Sequence, residues 1–297
     1  MHLPATAEAY AHCARVARAS GSSFLAAFWL FPRAERQALH AIYAFCRMAD
    51  DIADDPKIAG NRTALLERWR QVLDEACLGK SEHPVGIALA DAVARFHLPK
   101  RWFEDLLVGV EMDLYGAPIE RFVELERYCY CVASTVGLLV CGVRGLQGDA
   151  ICRYAVDMGI AVQLTNVLRD VGEDAAAGRI YLAREDLVRM QVSPESLREA
   201  PCSEAQRLLF ALYAERARIR YERAESAPLS AEERWRLRPA EAMGAIYRDL
   251  LDTLQARGFP CLGPALRLSR TRRLAVAART WLVPSASLRP RLARGAA

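Results

Sequence analysis

At 297 residues, 53% hydrophobic and 26% charged, the chain carries enough apolar material for a sizeable core and falls outside the disordered class. A net charge of +4, with no basic stripe carrying interleaved aromatics, excludes nucleic acid as the expected partner. The nine cysteines are odd in number and form no CxxC, and the N-terminus lacks an apolar signal core, so free thiols in a cytoplasmic protein are expected.

Along the chain the pattern is helical. Apolar residues recur at a spacing of 3.6, good helix formers dominate, and no alternating strand stands out. Helices are predicted near 5–19, 33–54, 61–78, 85–96, 100–115, 120–145, 149–175, 204–225, 231–256 and 268–281. Prolines, among them Pro32, Pro56, Pro84, Pro99, Pro118, Pro194 and Pro239, are read as marking the breaks between these segments. The longest apolar run, Val132 to Val143, is too short to span a bilayer. No linker rich in Gly or Ser divides the chain and no repeat is visible. The expectation is one all-α domain over 1–283 and a frayed tail over 284–297.

The first segment of note is Ser20-Gly-Ser-Ser23-Phe24. Its hydroxyls and backbone N–H groups suit a phosphate, or an ordinary helix cap. The helix near 33–54 then places Tyr43, Arg47, Asp50 and Asp54 on one face by steps of 4, 3 and 4. In the helix near 120–145, Tyr130, Ser134, Gly137 and Cys141 form a face of small residues under one tyrosine. Such a face admits a close helix neighbour or leaves room for a long apolar ligand. In the helix near 149–175, Gln163, Asn166, Asp170 and Asp174 share a face, with Arg169, Arg179 and Tyr181 beside it.

Each aspartate pair, spaced i to i+4, projects two carboxylates toward one point, which is unfavourable unless a cation intervenes. Hard oxygen ligands without His or Cys point to Mg²⁺, which prefers one or two carboxylates plus substrate phosphates. Two such pairs suggest a diphosphate held between facing helices. A di-iron carboxylate bundle would need Glu-x-x-His, which is absent. The stretch from Arg267 to Trp281 is basic and amphipathic. It reads as a terminal helix packed on the body, with contact to an anionic membrane surface as the second reading.

At Ala41-Ile-Tyr43-Ala-Phe-Cys-Arg47-Met-Ala-Asp50-Asp51-Ile-Ala-Asp54, and at Gln163-Leu-Thr-Asn166-Val-Leu-Arg169-Asp170-Val-Gly-Glu-Asp174 through Gly178-Arg179-Ile-Tyr181-Leu, the sequence resembles the squalene/phytoene synthase family. Ser20-Gly-Ser-Ser-Phe24, Glu111-Met-Asp113-Leu114, Ala245-Ile-Tyr247-Arg248 and Arg279-Thr-Trp281 look most like the bacterial hopanoid-pathway presqualene diphosphate synthases. The resemblance implies an all-α, single-domain isoprenoid (prenyl) synthase fold with helices around a central cavity. It implies head-to-head condensation of two farnesyl diphosphates to presqualene diphosphate. By the same carry-over, Asp50, Asp54, Asp170 and Asp174, assisted by Asn166, bind Mg²⁺ (or Mn²⁺), and NADPH is not needed for this half-reaction. Ser23, Arg47, Arg169 and Tyr181 hold diphosphate, while Tyr43, Tyr130 and Gln163 line the reaction region.

The chain departs from the family pattern at Ser134, usually Gly, which is expected to narrow the cavity. It departs again at Val108, often acidic, and at Ala265, where a late phosphate-binding Arg is replaced and Arg267 or Arg272 is expected to compensate. The expected partners are farnesyl diphosphate, a downstream squalene-forming enzyme and the inner membrane face. Rival readings are a phytoene synthase, a squalene or dehydrosqualene synthase, a head-to-tail chain-elongating synthase, and a non-catalytic helical assembly partner.

Overall fold

The computed structural model describes residues 4–20, 28, 31–55, 58 and 60–282. Among the described residues there is no strand. The α-helices run α1 Pro4–Ala19, α2 Arg33–Asp54, α3 Arg62–Cys77, α4 Pro84–Phe96, α5 Lys100–Tyr115, α6 Phe122–Cys129, α7 Thr135–Val143, α8 Asp149–Ala176, α9 Arg184–Arg189, α10 Glu204–Glu225, α11 Ala231–Ala256 and α12 Arg270–Leu282.

Local chemistry sets many of these limits. Asn61 accepts from the Ala64 N–H at the start of α3. Pro84 opens α4, which ends at His97 in a left-handed conformation (φ 52°). Ser203 with Gln206, and Ser230 with Glu233, form capping boxes that start α10 and α11. The C-terminal turn of α2 is closed by the Arg62 guanidinium, which donates to the carbonyls of Ile52 (3.1 Å) and Asp55 (2.9 Å).

Three expectations need correction. The predicted helix over 120–145 is not uniform: α6 and α7 are joined by a π turn at Tyr130–Ser134. Pro239 does not fall between segments but sits inside α11, within its third turn. And α9, with a 3₁₀ turn at Glu195–Arg198, lies where no helix was predicted; six residues are too few for a periodic signal.

The apolar faces fill two cores. The first joins α1 to α5 and α7, with Phe45 stacked on Trp69 (5.3 Å) and edge-on to Phe103 (5.5 Å). The second joins α6, α8, α10 and α11, around Phe210, Tyr213 and Tyr221. The helix α8 packs along α10, the π turn, α7 and α11, whereas α2 packs on α1, α3, α4 and α5.

The small-residue face settles as helix packing. Ser134 is fully buried and its hydroxyl donates to the Val156 carbonyl at 2.8 Å. A Cβ added at Gly159 of α8 would lie 2.4 Å from the Ser134 Cα, and one at Gly137 would lie 3.2 Å from the Ala155 carbonyl oxygen. Ser134 therefore joins α8 to the π turn and does not narrow a cavity.

Candidate active site

The inward face of α2 buries Leu39, Ile42, Phe45 and Ala49, while Arg47, Asp50 and Asp54 keep exposed surface. On α8 the same division buries Leu164, Val167, Leu168 and Val171 and leaves Asn166, Asp170 and Asp174 half-buried. The two acid faces meet through side chains. Arg179, three residues past α8, donates to Asp54 at 2.7 Å and so bridges the two motifs across 125 residues. Between them stands a fifth carboxylate, Asp113, near the end of α5. It accepts from the hydroxyls of Tyr181 (2.7 Å) and Tyr128 (3.0 Å), whose rings stack at 5.0 Å.

Crowding of like charge is visible in the proton affinities. Burial among protein atoms and then the charges of Asp54 and Asp113 push the Asp50 carboxyl up to about 7. Asp50 still reaches water, so its cleft limits its hydration without abolishing it. Burial, then Asp170, pushes Asp174 up to about 7 as well, with Arg179 opposing. Burial also raises Asp113, against the two tyrosine hydrogen bonds that lower it.

A raised carboxyl binds its proton in the folded state where the unfolded chain has lost it. Stability therefore falls as pH rises from the unfolded value toward 7. In chelator, the wild-type Tm is expected to fall between pH 5 and pH 7 from this cause, and Asp50→Asn is expected to flatten that slope. Thermal scans of both proteins check this; an equally steep slope in the variant would contradict it.

Several predicted residues join this cluster and others do not. Arg169 clasps Asp170, with Nε 2.6 Å from Oδ1, and is also bonded by Tyr247 of α11. The Asn166 amide nitrogen donates to Gln163 at 3.2 Å, while its Oδ1 is buried without a partner. Arg47 is turned to Asp51 (2.6 Å), the aspartate off the shared face. The Tyr43 hydroxyl donates to Ser20 at 2.7 Å. Tyr130 is not drawn to the carboxylates. Its hydroxyl donates to Asp105 (2.8 Å), eight residues before Asp113 on α5 and so about 12 Å along the helix. Ser23 lies outside the described residues.

Of the two arginines expected to compensate for Ala265, Arg272 is committed elsewhere, held by Asp249 at 2.7 and 2.8 Å. Arg267 stays exposed. Ala265 itself lies on the acid turn, its N–H donating to Glu173 at 2.9 Å. Sequence reasoning did not place Asp113 and Tyr128 in the site; a lone aspartate and a lone tyrosine on separate helices carry no spacing signal. A surface depression of about 600 Å³ at Gly145, Ser230 and Arg236 borders none of these residues. Among the described residues, no three His, Cys, Asp or Glu side chains converge tightly enough to hold a metal ion by themselves.

The described residues, helical and carrying two facing aspartate motifs, have the isoprenoid synthase fold. The chain belongs to the squalene/phytoene synthase family of prenyl-transferring enzymes, whose model matches residues 17–276. It is 35% identical over 271 residues to the 15-cis-phytoene synthase of Synechococcus elongatus, covering 86% of this chain and 87% of that one. It is 34% identical over 260 residues to phytoene synthase 1 of Arabidopsis thaliana, covering 85% and 61%. Among solved structures it is similar to a dehydrosqualene synthase (TM-score 0.82, 31% identity, 93% and 96% covered). It is also similar to the squalene synthase HpnC of Alicyclobacillus acidocaldarius (TM-score 0.79, 27% identity, 86% and 95% covered).

Proposed function

We propose that the chain condenses two farnesyl diphosphates head to head, releasing one diphosphate and forming presqualene diphosphate. The observation that carries this reading is the meeting of Asp50 and Asp54 with Asp170 and Asp174 at Asp113, with Arg179 across them.

The residues fit a divalent cation. They offer oxygen donors only, burial and then neighbouring carboxylates push Asp50 and Asp174 up, and the Asn166 Oδ1 is buried without a partner. Since no three of them close around an ion unaided, substrate oxygens would complete the shell. Mg²⁺, or Mn²⁺, held by Asp50, Asp54, Asn166, Asp170 and Asp174 would neutralise charge on the departing diphosphate.

Arg179 and Arg169 stand beside the carboxylates and would take phosphate oxygens in forked pairs, with Tyr181 adding a hydroxyl. Arg47 would join them by leaving Asp51. The C1–O bond of one substrate breaks and its electron pair leaves with diphosphate. The 2,3 double bond of the second substrate attacks C1. Loss of a proton, with released diphosphate as the base, closes the cyclopropane.

A second reading is favoured by the phytoene synthase relatives: the same chemistry on two geranylgeranyl diphosphates. Product analysis with each diphosphate and Mg²⁺, with and without NADPH, separates the two. A cyclopropyl diphosphate from farnesyl diphosphate in both tubes is the expected result, and it would be the substrate of a squalene-forming enzyme. Squalene would extend the reaction past the cyclopropane. Product from geranylgeranyl diphosphate alone would overturn the farnesyl assignment.

A further inference from the structure

The chain's charge is divided unevenly. Residues 257–297 hold nine arginines and no acidic residue, while the preceding 256 residues hold 31 basic against 36 acidic ones. The resident helix of this basic region is α12, and it lies on the surface. Thr280 is its one buried residue. It packs on α11, fixed at one end by the Arg272–Asp249 pair and at the other by Arg238, which donates to the Trp281 carbonyl.

The outer face of α12 is apolar with a basic margin. Leu274 is 63% exposed and Leu282 79%, with Ala278 between them at helical spacing. Trp235 of α11, 58% exposed, stands beside the C-terminal end of α12, its ring 6.3 Å from that of Trp281 and covered by the Arg238 guanidinium at 4.7 Å. Arg267, Arg270 and Arg279 are exposed along the same helix and its approach.

Large exposed apolar side chains flanked by arginine, with tryptophan at the edge, suit the boundary between lipid headgroups and acyl chains. Charge complementarity selects an anionic bilayer over a second copy of this chain, whose corresponding face would bring arginine against arginine. Among the described residues no helix is long and apolar enough to cross a membrane, so the contact would be peripheral.

We propose that the outer face of α12, with Trp235, docks the protein on an anionic phospholipid bilayer. The chain links this surface to the candidate active site. The segment leading into α12 lies across α8, the Gly172 N–H donating to the Cys261 carbonyl (2.9 Å) and the Ala265 N–H to Glu173. Arg270 follows Ala265 by five residues, so a seated α12 holds the acid turn close to the lipid.

The test is sedimentation of the purified full chain with vesicles of phosphatidylcholine, with and without about one-quarter phosphatidylglycerol, read together with tryptophan emission. Binding and a blue shift are expected only with the anionic vesicles. Both Leu274→Ser/Leu282→Ser and Arg270→Glu/Arg279→Glu are expected to lower partitioning on the order of tenfold or more. Far-UV spectra and diphosphate release in detergent should match wild type, which separates lost docking from lost folding. The assay does not depend on which prenyl diphosphate is the substrate. No binding to anionic vesicles would overturn the proposal, as would binding that both double variants retain. A dimer that the leucine variant converts to monomer would assign the face to a second copy instead.

Discussion

Asp50→Ala is expected to lower prenyl transfer by about 10³-fold while holding or raising the Tm of the metal-free protein. Most aspartates in a folded protein contribute to its stability. Asp50 does not: among the described residues nothing donates a hydrogen bond to it, and Asp54 and Asp113 repel it. Because it keeps exposed surface, truncation leaves no cavity of consequence. Removing it relieves like-charge crowding at neutral pH, so stability gains where catalysis fails. The check is a paired measurement, diphosphate release against thermal unfolding in chelator. A variant that loses both together would mean that Asp50 supports the fold, and one that keeps both would remove it from the site. Asp50→Asn should behave alike, since it keeps the shape and loses the charge.

Gly159→Ala is expected to destabilise the protein by about 2 kcal/mol and to lower kcat by about 10²-fold. Two effects oppose each other. Alanine in a helix interior gains about 1 kcal/mol over glycine. Here the added methyl meets backbone, 2.4 Å from the Ser134 Cα and 2.6 Å from its nitrogen, so neither partner can rotate away. Overpacking of that kind costs about 1–3 kcal/mol, and the upper end applies where backbone must shift. The same shift travels along α8 to Asp170 and Asp174, and an ångström of misplacement at reacting groups costs about two orders of magnitude in rate. Unfolding curves and steady-state kinetics test both halves. Ser134→Gly in the same chain should restore little, because the Cα and N remain. Full restoration would show that only the hydroxymethyl group was in the way.

The aspartate pairs of α2 and α8 were legible because a helix turns sequence spacing directly into a shared face. The ends of α3, α4, α10 and α11 were legible within about a residue or two because Asn61, Pro84, Ser203 and Ser230 carry their own capping chemistry. In the sequence Arg179 shows only as charge beside the second motif, yet it is the residue that ties Asp54 to the far side of the site. Asp113 has no role legible from spacing, since what defines it is two tyrosines from elsewhere in the chain. Pro239 reads as a break because proline disfavours a helix interior; the capping box at Ser230 and burial of Leu237 and Ala242 on either side outweigh that cost.

The π turn at Tyr130–Ser134 changes how the whole of 122–143 should be understood. One additional residue in a turn advances everything beyond it by about 100° around the axis. Upstream, Leu125, Tyr128 and Cys129 belong to the second core; downstream, Leu138, Leu139 and Cys141 belong to the first. A regular helix would offer one stripe and could serve one of them. The turn acts as a phase shifter, letting a single rod show two stripes in different directions. Deleting any one residue between 130 and 134 would restore regular winding and swing Tyr128 off Asp113 without altering a single side chain at the site.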